Sequence, residues 1–200
     1  MSHYVVGITG ASGSIYGLRL VEELLAAGGE VTLLLTNAGR QVTEFETGLE
    51  LPEAFAERSA ALQSYFRAHP HFAHVALDNF FAPVASGTAA PDAVVICPCS
   101  MGTAGRIAAG LSENLLERVA DVALKERREL ILVPRETPFN QIHLENLLRL
   151  SRAGAHILPA MPGFYQRPQS VAEMVNFVVG KVLDSLQIEH QLFKRWGTTE

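Results

Sequence analysis

The segment Gly7-Ile-Thr-Gly10-Ala-Ser-Gly13 closes a short apolar run and opens a helical stretch. Glycines at such a junction let the backbone approach a ligand, and a helix start offers free N–H groups that suit a phosphate. Ser12 adds a hydroxyl. The spacing is GxxGxxG rather than the GxGxxG of dinucleotide folds, and Thr36 stands where an acidic ribose ligand would close the second strand. The motif reads as a nucleotide or phosphate cradle, or as a plain tight turn. It points away from NAD.

A second constellation, Cys97-Pro-Cys-Ser100-Met-Gly-Thr103, also follows an apolar run. Ser100, Gly102 and Thr103 suit another part of the same ligand, or else Ser100 simply caps the next helix. Cys97 and Cys99 read as small core residues, because an apolar strand supplies no cation to lower a thiol pKa. The third, Pro134-Arg-Glu-Thr-Pro-Phe139, sets Arg135 and Glu136 side by side after another buried run. A guanidinium suits a phosphate or a flavin carbonyl, and a carboxylate can move a proton. Three such motifs at successive strand ends converge on one sheet edge. That convergence favours a site over a surface ion pair.

Weaker signals follow. Arg118 and Lys125 lie seven residues apart on one face of a mixed-charge helix, where a solvated surface with i,i+4 pairs is the ordinary reading. Tyr165, in Pro162-Gly-Phe-Tyr165, and Lys181 offer a phenol and an ammonium near the end of the last apolar run. His69, His71 and His74 crowd six residues, but no carboxylate or cysteine stands at ligand spacing, and a proline between the first two bars a regular helix. The cluster reads as a polar excursion rather than a metal site.

The elements that must position these residues alternate. Apolar runs at Tyr4–Thr9, Glu30–Thr36, Ala93–Cys99, Leu130–Pro134 and His156–Pro159 predict strands. Helical patterns cover 13–27, a stretch running to Glu46, then 101–109, 113–127, 140–153 and 171–186. This order predicts a single Rossmann-like (flavodoxin-like) α/β domain, 1–200, with a mostly parallel sheet covered on both faces by helices. Segment 48–87 is the least regular and reads as an excursion, and 195–200 as a loosely held tail.

Composition sets outer bounds. A chain of 200 residues with 48% hydrophobic and 18% charged residues can bury a real core. The net charge of −5 argues against a general nucleic-acid binder. Two cysteines cannot form a disulfide framework, the N-terminus lacks the pattern of a signal peptide, and no apolar run is long enough to span a bilayer. The expected location is the cytoplasm, without membrane contact. The low charged fraction leaves apolar surface for contacts between subunits.

Taken together, these motifs resemble the UbiX flavin prenyltransferases, within the homo-oligomeric flavin-containing decarboxylase-like fold. The resemblance runs almost end to end, through GITGASGSIYGLRL, the ASG at 85–87, VICPCSMGT, ERVADVALKERRELILVPRETPF, HLENLL, PGFYQRPQS and FKRWG. It implies a subunit of a dodecamer with FMN held at subunit interfaces. Gly10, Ala11, Ser12 and Thr36 would contact FMN, Ser100, Met101, Gly102 and Thr103 would hold another part of it, and Arg135 would complete the site. Tyr165 and Lys181 would bind dimethylallyl phosphate. Arg118, Lys125 and Glu136 resemble phosphate and acid–base positions of the family, and Glu46 matches an acidic site residue.

The implied reaction joins a dimethylallyl group to N5 and C6 of reduced FMN without a metal. Phosphate leaves among cationic side chains, and protons move through Ser12 and Glu136. The product, prenylated FMN, would pass to a UbiD-type decarboxylase, serving either ubiquinone synthesis or the breakdown of aromatic acids. Lys181 replaces the arginine of some relatives, exchanging a bidentate fork for a point charge and leaving open phosphate or pyrophosphate as the donor group. Two other readings compete. A cysteine-type flavin decarboxylase would carry a catalytic histidine in the helix after the second strand, which here has Glu46, and an asparagine in the loop that here reads Pro83–Gly87. A flavin carrier would need the FMN loops but not the cationic set.

Overall fold

The computed structural model describes residues 1–195. Six strands form one sheet: β1 (His3–Ile8), β2 (Glu30–Leu35), β3 (Phe72–His74), β4 (Ala93–Cys99), β5 (Glu129–Pro134) and β6 (His156–Ile157). Their order is β3-β2-β1-β4-β5-β6, and every pairing is parallel. The chain therefore winds outward from β1 to one edge, returns, and winds outward from β4 to the other. Ligands of such sheets bind beyond the carboxyl ends of the strands, at the reversal between the two halves.

Among the described residues, seven α-helices cover the sheet: α1 (Ser14–Ala26), α2 (Asn37–Thr47), α3 (Phe55–Tyr65), α4 (Met101–Ala108), α5 (Leu115–Lys125), α6 (Gln141–Arg152) and α7 (Val171–Ser185). Alternation along the strands feeds two cores. Val6, Ile8, Leu33, Val95 and Val133 pack with α1, α3 and α7, whereas Val5, Leu34, Val94, Ile96 and Leu132 pack with α4, α5 and α6. Strands buried on both faces need the continuous apolar runs seen in the sequence.

Apart from α1 and α3, which begins after Ala54, the helix starts are set by short polar side chains. Thr36, Ser100, Asn114, Asn140 and Ser170 each accept a backbone N–H in the first turn of α2, α4, α5, α6 and α7. The start of α1 is different. Gly13 stands there at φ 96° with no side chain to offer, so the cap must come from elsewhere in the chain.

Segment 48–87 is more regular than its sequence suggests. It holds α3 and the edge strand β3, followed by 3-10 turns at Pro83–Ala85 and Gly87–Ala89. Only Leu62 of α3 is buried, and β3 is three residues long, so neither leaves a clear periodic signal. The histidine run is divided accordingly. His69 and His71 sit with ring centroids 5.7 Å apart, whereas His74 is buried in β3 and stacks on Phe55 at 4.8 Å. Burial, with help from the Arg58 charge, pushes the His74 imidazole down to about 4. His74 is thus an internal residue, not part of a polar excursion.

Candidate functional site

The glycine loop after β1 is held from three sides. Buried Thr9 donates its hydroxyl to the Pro98 carbonyl at 2.8 Å and accepts the Ser100 N–H at 2.7 Å, which fixes the loop after β4 against the loop after β1. The Arg135 Nε donates to the Ser12 carbonyl at 3.2 Å, bringing in the end of β5. A side-chain Cβ at Gly10 would stand 2.6 Å from the Ala38 Cβ, so the loop after β1 also lies tightly on the start of α2. The three motifs expected to converge do so at the carboxyl edge of the sheet.

Glu46 supplies the missing cap of α1. Its carboxylate accepts the Gly13 N–H at 2.9 Å, the Ser14 N–H at 3.0 Å and the Ser14 hydroxyl at 2.8 Å. Partial burial opposes ionisation, but hydrogen bonds from Ser12, Ser14 and the backbone outweigh it and hold the carboxyl below its ordinary value. Glu46 is therefore ionised at neutral pH. A groove of about 670 Å³ opens beside it, lined in part by Ser12, Gly13, Ile15, Leu49 and Tyr65.

Beyond β4, Ser100 accepts the Thr103 N–H at 3.3 Å and donates to the Thr103 hydroxyl at 3.0 Å. The capping reading of Ser100 is thus met, and its loop is fixed to the loop after β1. Met101 is buried and Gly102 is exposed. Thr103 also accepts from Arg106 at 3.3 Å, and Arg106 pairs with the buried carboxylate of Glu117. Nothing in the sequence pattern singled out Thr9, Arg106 or Glu117. Glu136 is half-buried beside Arg135, its carboxylate accepting the Thr137 N–H at 3.1 Å.

The remaining cations lie elsewhere on the subunit. Lys125 ends α5 and pairs with Glu126 at 2.6 Å, next to the 3-10 turn at Gly87 that precedes the amino end of β4. Arg118 donates to the Ala85 carbonyl at 3.2 Å and pairs with Asp121 at 3.1 Å. The two share a cavity of about 590 Å³ with Ser86, Gly87 and Thr88, away from the glycine loop. Tyr165 is half-exposed and meets Phe177 edge to face at 5.7 Å, while Lys181 pairs with Asp184 at 3.5 Å on α7. The expected site residues thus fall in three groups: the glycine-loop edge, the cavity shared by Arg118 and Lys125, and the turn at Tyr165 with Lys181 on α7.

Both cysteines are buried in β4. Burial raises both thiols, Cys99 to about 12, which makes them core residues rather than nucleophiles. Among the described residues, no group of three or more His, Cys, Asp or Glu is placed to hold a metal ion, and no helix is long and apolar enough to cross a membrane. The expected tail at 195–200 lies outside the described residues except for Arg195, which is bonded to Asp184 at 2.8 Å.

Comparison with known proteins agrees with this geometry. Residues 1–184 match the family model described as Flavoprotein. The flavin prenyltransferase UbiX of Halalkalibacterium halodurans is 52% identical over 97% of this chain and 93% of that relative. A crystal structure of AnUbiX (PadA1) in complex with FMN and dimethylallyl pyrophosphate superposes with a TM-score of 0.87 at 33% identity, covering 100% of this chain and 99% of that one. A dodecameric FMN-dependent UbiX-like decarboxylase from Escherichia coli O157:H7 gives 0.85 at 36% identity, over 98% and 100% of the two chains. The chain belongs to the Flavoprotein family and, within it, to the UbiX flavin prenyltransferases.

Proposed function

We propose that this flavin prenyltransferase takes its donor as dimethylallyl phosphate and builds its active site from several copies of the chain, as a homo-oligomer of dodecameric size. The observation that carries the reading is the hydrogen bond from Arg135 to the Ser12 carbonyl, which joins the glycine loop to the third motif at a flavin-binding edge. The residues there fit FMN. Backbone N–H groups at Gly10 and Ser12, the Ser100–Thr103 turn and the Arg135 guanidinium offer donors for a phosphate and for flavin carbonyls, and Thr36, whose hydroxyl donates to the Ile8 carbonyl, closes the same edge.

Reduced FMN supplies the nucleophilic N5 and the C6 at which the dimethylallyl group is joined, and prenylated FMN is the product. The chain's own residues do the rest. Ser12 and Glu136 move protons at the carboxyl edge, with Glu46, ionised, holding the loop that carries Ser12. Lys125 and Arg118, from a neighbouring copy, face the departing phosphate, and Tyr165 and Lys181 bind that group before it leaves. Clustered cations stabilise developing phosphate charge as a metal would. The three clusters of one subunit become a single site only when copies adjoin, which is what supports the oligomer.

The product is handed to a UbiD-type decarboxylase, and the work is done in the cytoplasm, where buried free thiols such as Cys97 and Cys99 stay reduced. Anaerobic incubation with reduced FMN and dimethylallyl phosphate, without metal, followed by mass spectrometry of the extracted flavin tests the activity. One added dimethylallyl unit is expected. Unmodified FMN with both donors, flavin binding being confirmed, would overturn the reading in favour of a carrier or a decarboxylase.

A further inference from the structure

Asp184 is shared by three basic side chains, Lys181, His190 and Arg195. Its Oδ1 accepts from Arg195 at 2.8 Å and lies 3.2 Å from the His190 Nε2, while its Oδ2 stands 3.5 Å from the Lys181 ammonium. His190 is almost fully buried and packs on Phe193, with ring centroids 5.0 Å apart. Partial burial disfavours the charged carboxyl, but Arg195, His190 and Lys181 together keep it below the ordinary aspartate range.

The tail from His190 to Arg195 also reaches the turn that bears Tyr165. Gln166 donates to the Lys194 carbonyl at 2.6 Å, and Phe177 sits between Tyr165, at 5.7 Å, and Phe193, at 5.3 Å. One strap of chain therefore joins the two elements assigned to the donor phosphate. It is pinned to α7 at Asp184 and to the 163–168 turn at Gln166. The arrangement divides the carboxylate unequally. Arg195 and His190 occupy one oxygen, and the lysine meets the other at ion-pair rather than close hydrogen-bond distance, so its N–H donors stay available to a phosphate.

We propose that Asp184 is a positioning residue for Lys181, and that the strap at 190–195 governs how firmly it holds that lysine. The inference rests on the reading of Lys181 as a donor-phosphate ligand. Asp184 restrains the ammonium one turn away on α7 and, being shared with two other basic groups, does not saturate it. Loss of the carboxylate would free the lysine to sample other rotamers and weaken donor capture without touching the flavin loops.

The test is a double-mutant cycle on the oligomeric enzyme, reading KM and kcat for dimethylallyl phosphate and the Kd for FMN. Asp184→Asn should raise KM roughly threefold to tenfold, as expected for a partly exposed charge contact, with kcat and FMN binding little changed. Asp184→Glu should restore most of the loss. In a Lys181→Met background, Asp184→Asn should have no further effect, because the carboxylate acts through the lysine. Gly180→Ala, whose Cβ would collide with Phe193 and His190, should move KM in the same direction by displacing the strap. Effects that multiply in the double mutant would overturn the proposal, as would an Asp184→Asn enzyme that binds donor normally or loses donor and FMN equally. If Lys181→Met itself leaves KM unchanged, the reading of Lys181 falls and the proposal falls with it. A raised KM in Lys181→Met beside a normal one in Asp184→Asn removes the proposal alone.

Discussion

Arg135 and Lys125 stand at opposite ends of β5. Arg135 follows its last residue and Lys125 precedes its first by four. Six strand residues separate the two edges, or about 20 Å at the usual rise per residue. A single subunit cannot bring both cations to one small phosphate ester. Under the proposed function, the same stretch of chain would serve two sites, giving Arg135 to one and Lys125 to another.

Complementation follows from that separation. Lys125→Ala and Arg135→Ala should each abolish prenyl transfer as pure oligomers. Co-expressed, they should regain a measurable part of it, because hybrid assemblies contain sites with an intact Lys125 from one subunit and an intact Arg135 from another. Activity assays on doubly tagged hybrids check this, and a wholly inactive hybrid of native mass would contradict a shared site.

Glu46→Gln separates capping from chemistry. Losing the charged cap of α1 should cost about 0.5–1 kcal/mol at neutral pH. The folded carboxyl lies below its unfolded value, so its contribution is complete above that unfolded value and fades as pH falls through the folded one. Denaturation of both proteins across the acid range should show the gap closing at pH values below the ordinary glutamate pKa.

Arg106→Met should destabilise more than its exposure suggests. The Glu117 side chain is 1% exposed, and removing its guanidinium leaves a buried charge, a loss on the order of 3 kcal/mol. Thr103 would lose a bond as well, so weaker FMN retention should accompany the lower melting temperature.

Gly17→Ala should be among the most damaging single-methyl changes. The new Cβ would run into the Cys97 carbonyl and the Ile8 side chain, where α1 lies directly on the sheet. A penalty of about 2 kcal/mol or more is expected, from overpacking against backbone that cannot give way. Thermal denaturation checks it.

Thiol titration should find neither cysteine in the native protein. Burial raises both thiols and removes access, so labelling by a disulfide reagent should appear only with unfolding.

The sequence made the sheet and its carboxyl edge readable because Gly10–Gly13, Thr36 and Ser100–Thr103 mark strand ends with residue types that few other positions need. It could not reveal what those loops lean on. Glu46 caps α1 from 33 residues away, and Thr9 stitches two loops 91 residues apart in sequence. Arg106 and Glu117, eleven residues apart, look like two ordinary charges until the turn between α4 and α5 brings them together. The small strand β3 escaped because three residues cannot display an alternation. The placement of Lys125 was hidden for another reason. Helical spacing tells which face a residue occupies, but not which end of the sheet that face serves.

The sheet also tapers. Its two outermost strands are three and two residues long, so nearly every peptide group exposed along the borders of the sheet belongs to a segment too short to recruit another strand. The proposed oligomer, with many copies of the chain at high local concentration, would thereby avoid templating fibrous stacks. Assembly is left to side chains and loops, whose fit is specific, instead of to main-chain pairing, which would accept almost any extended chain.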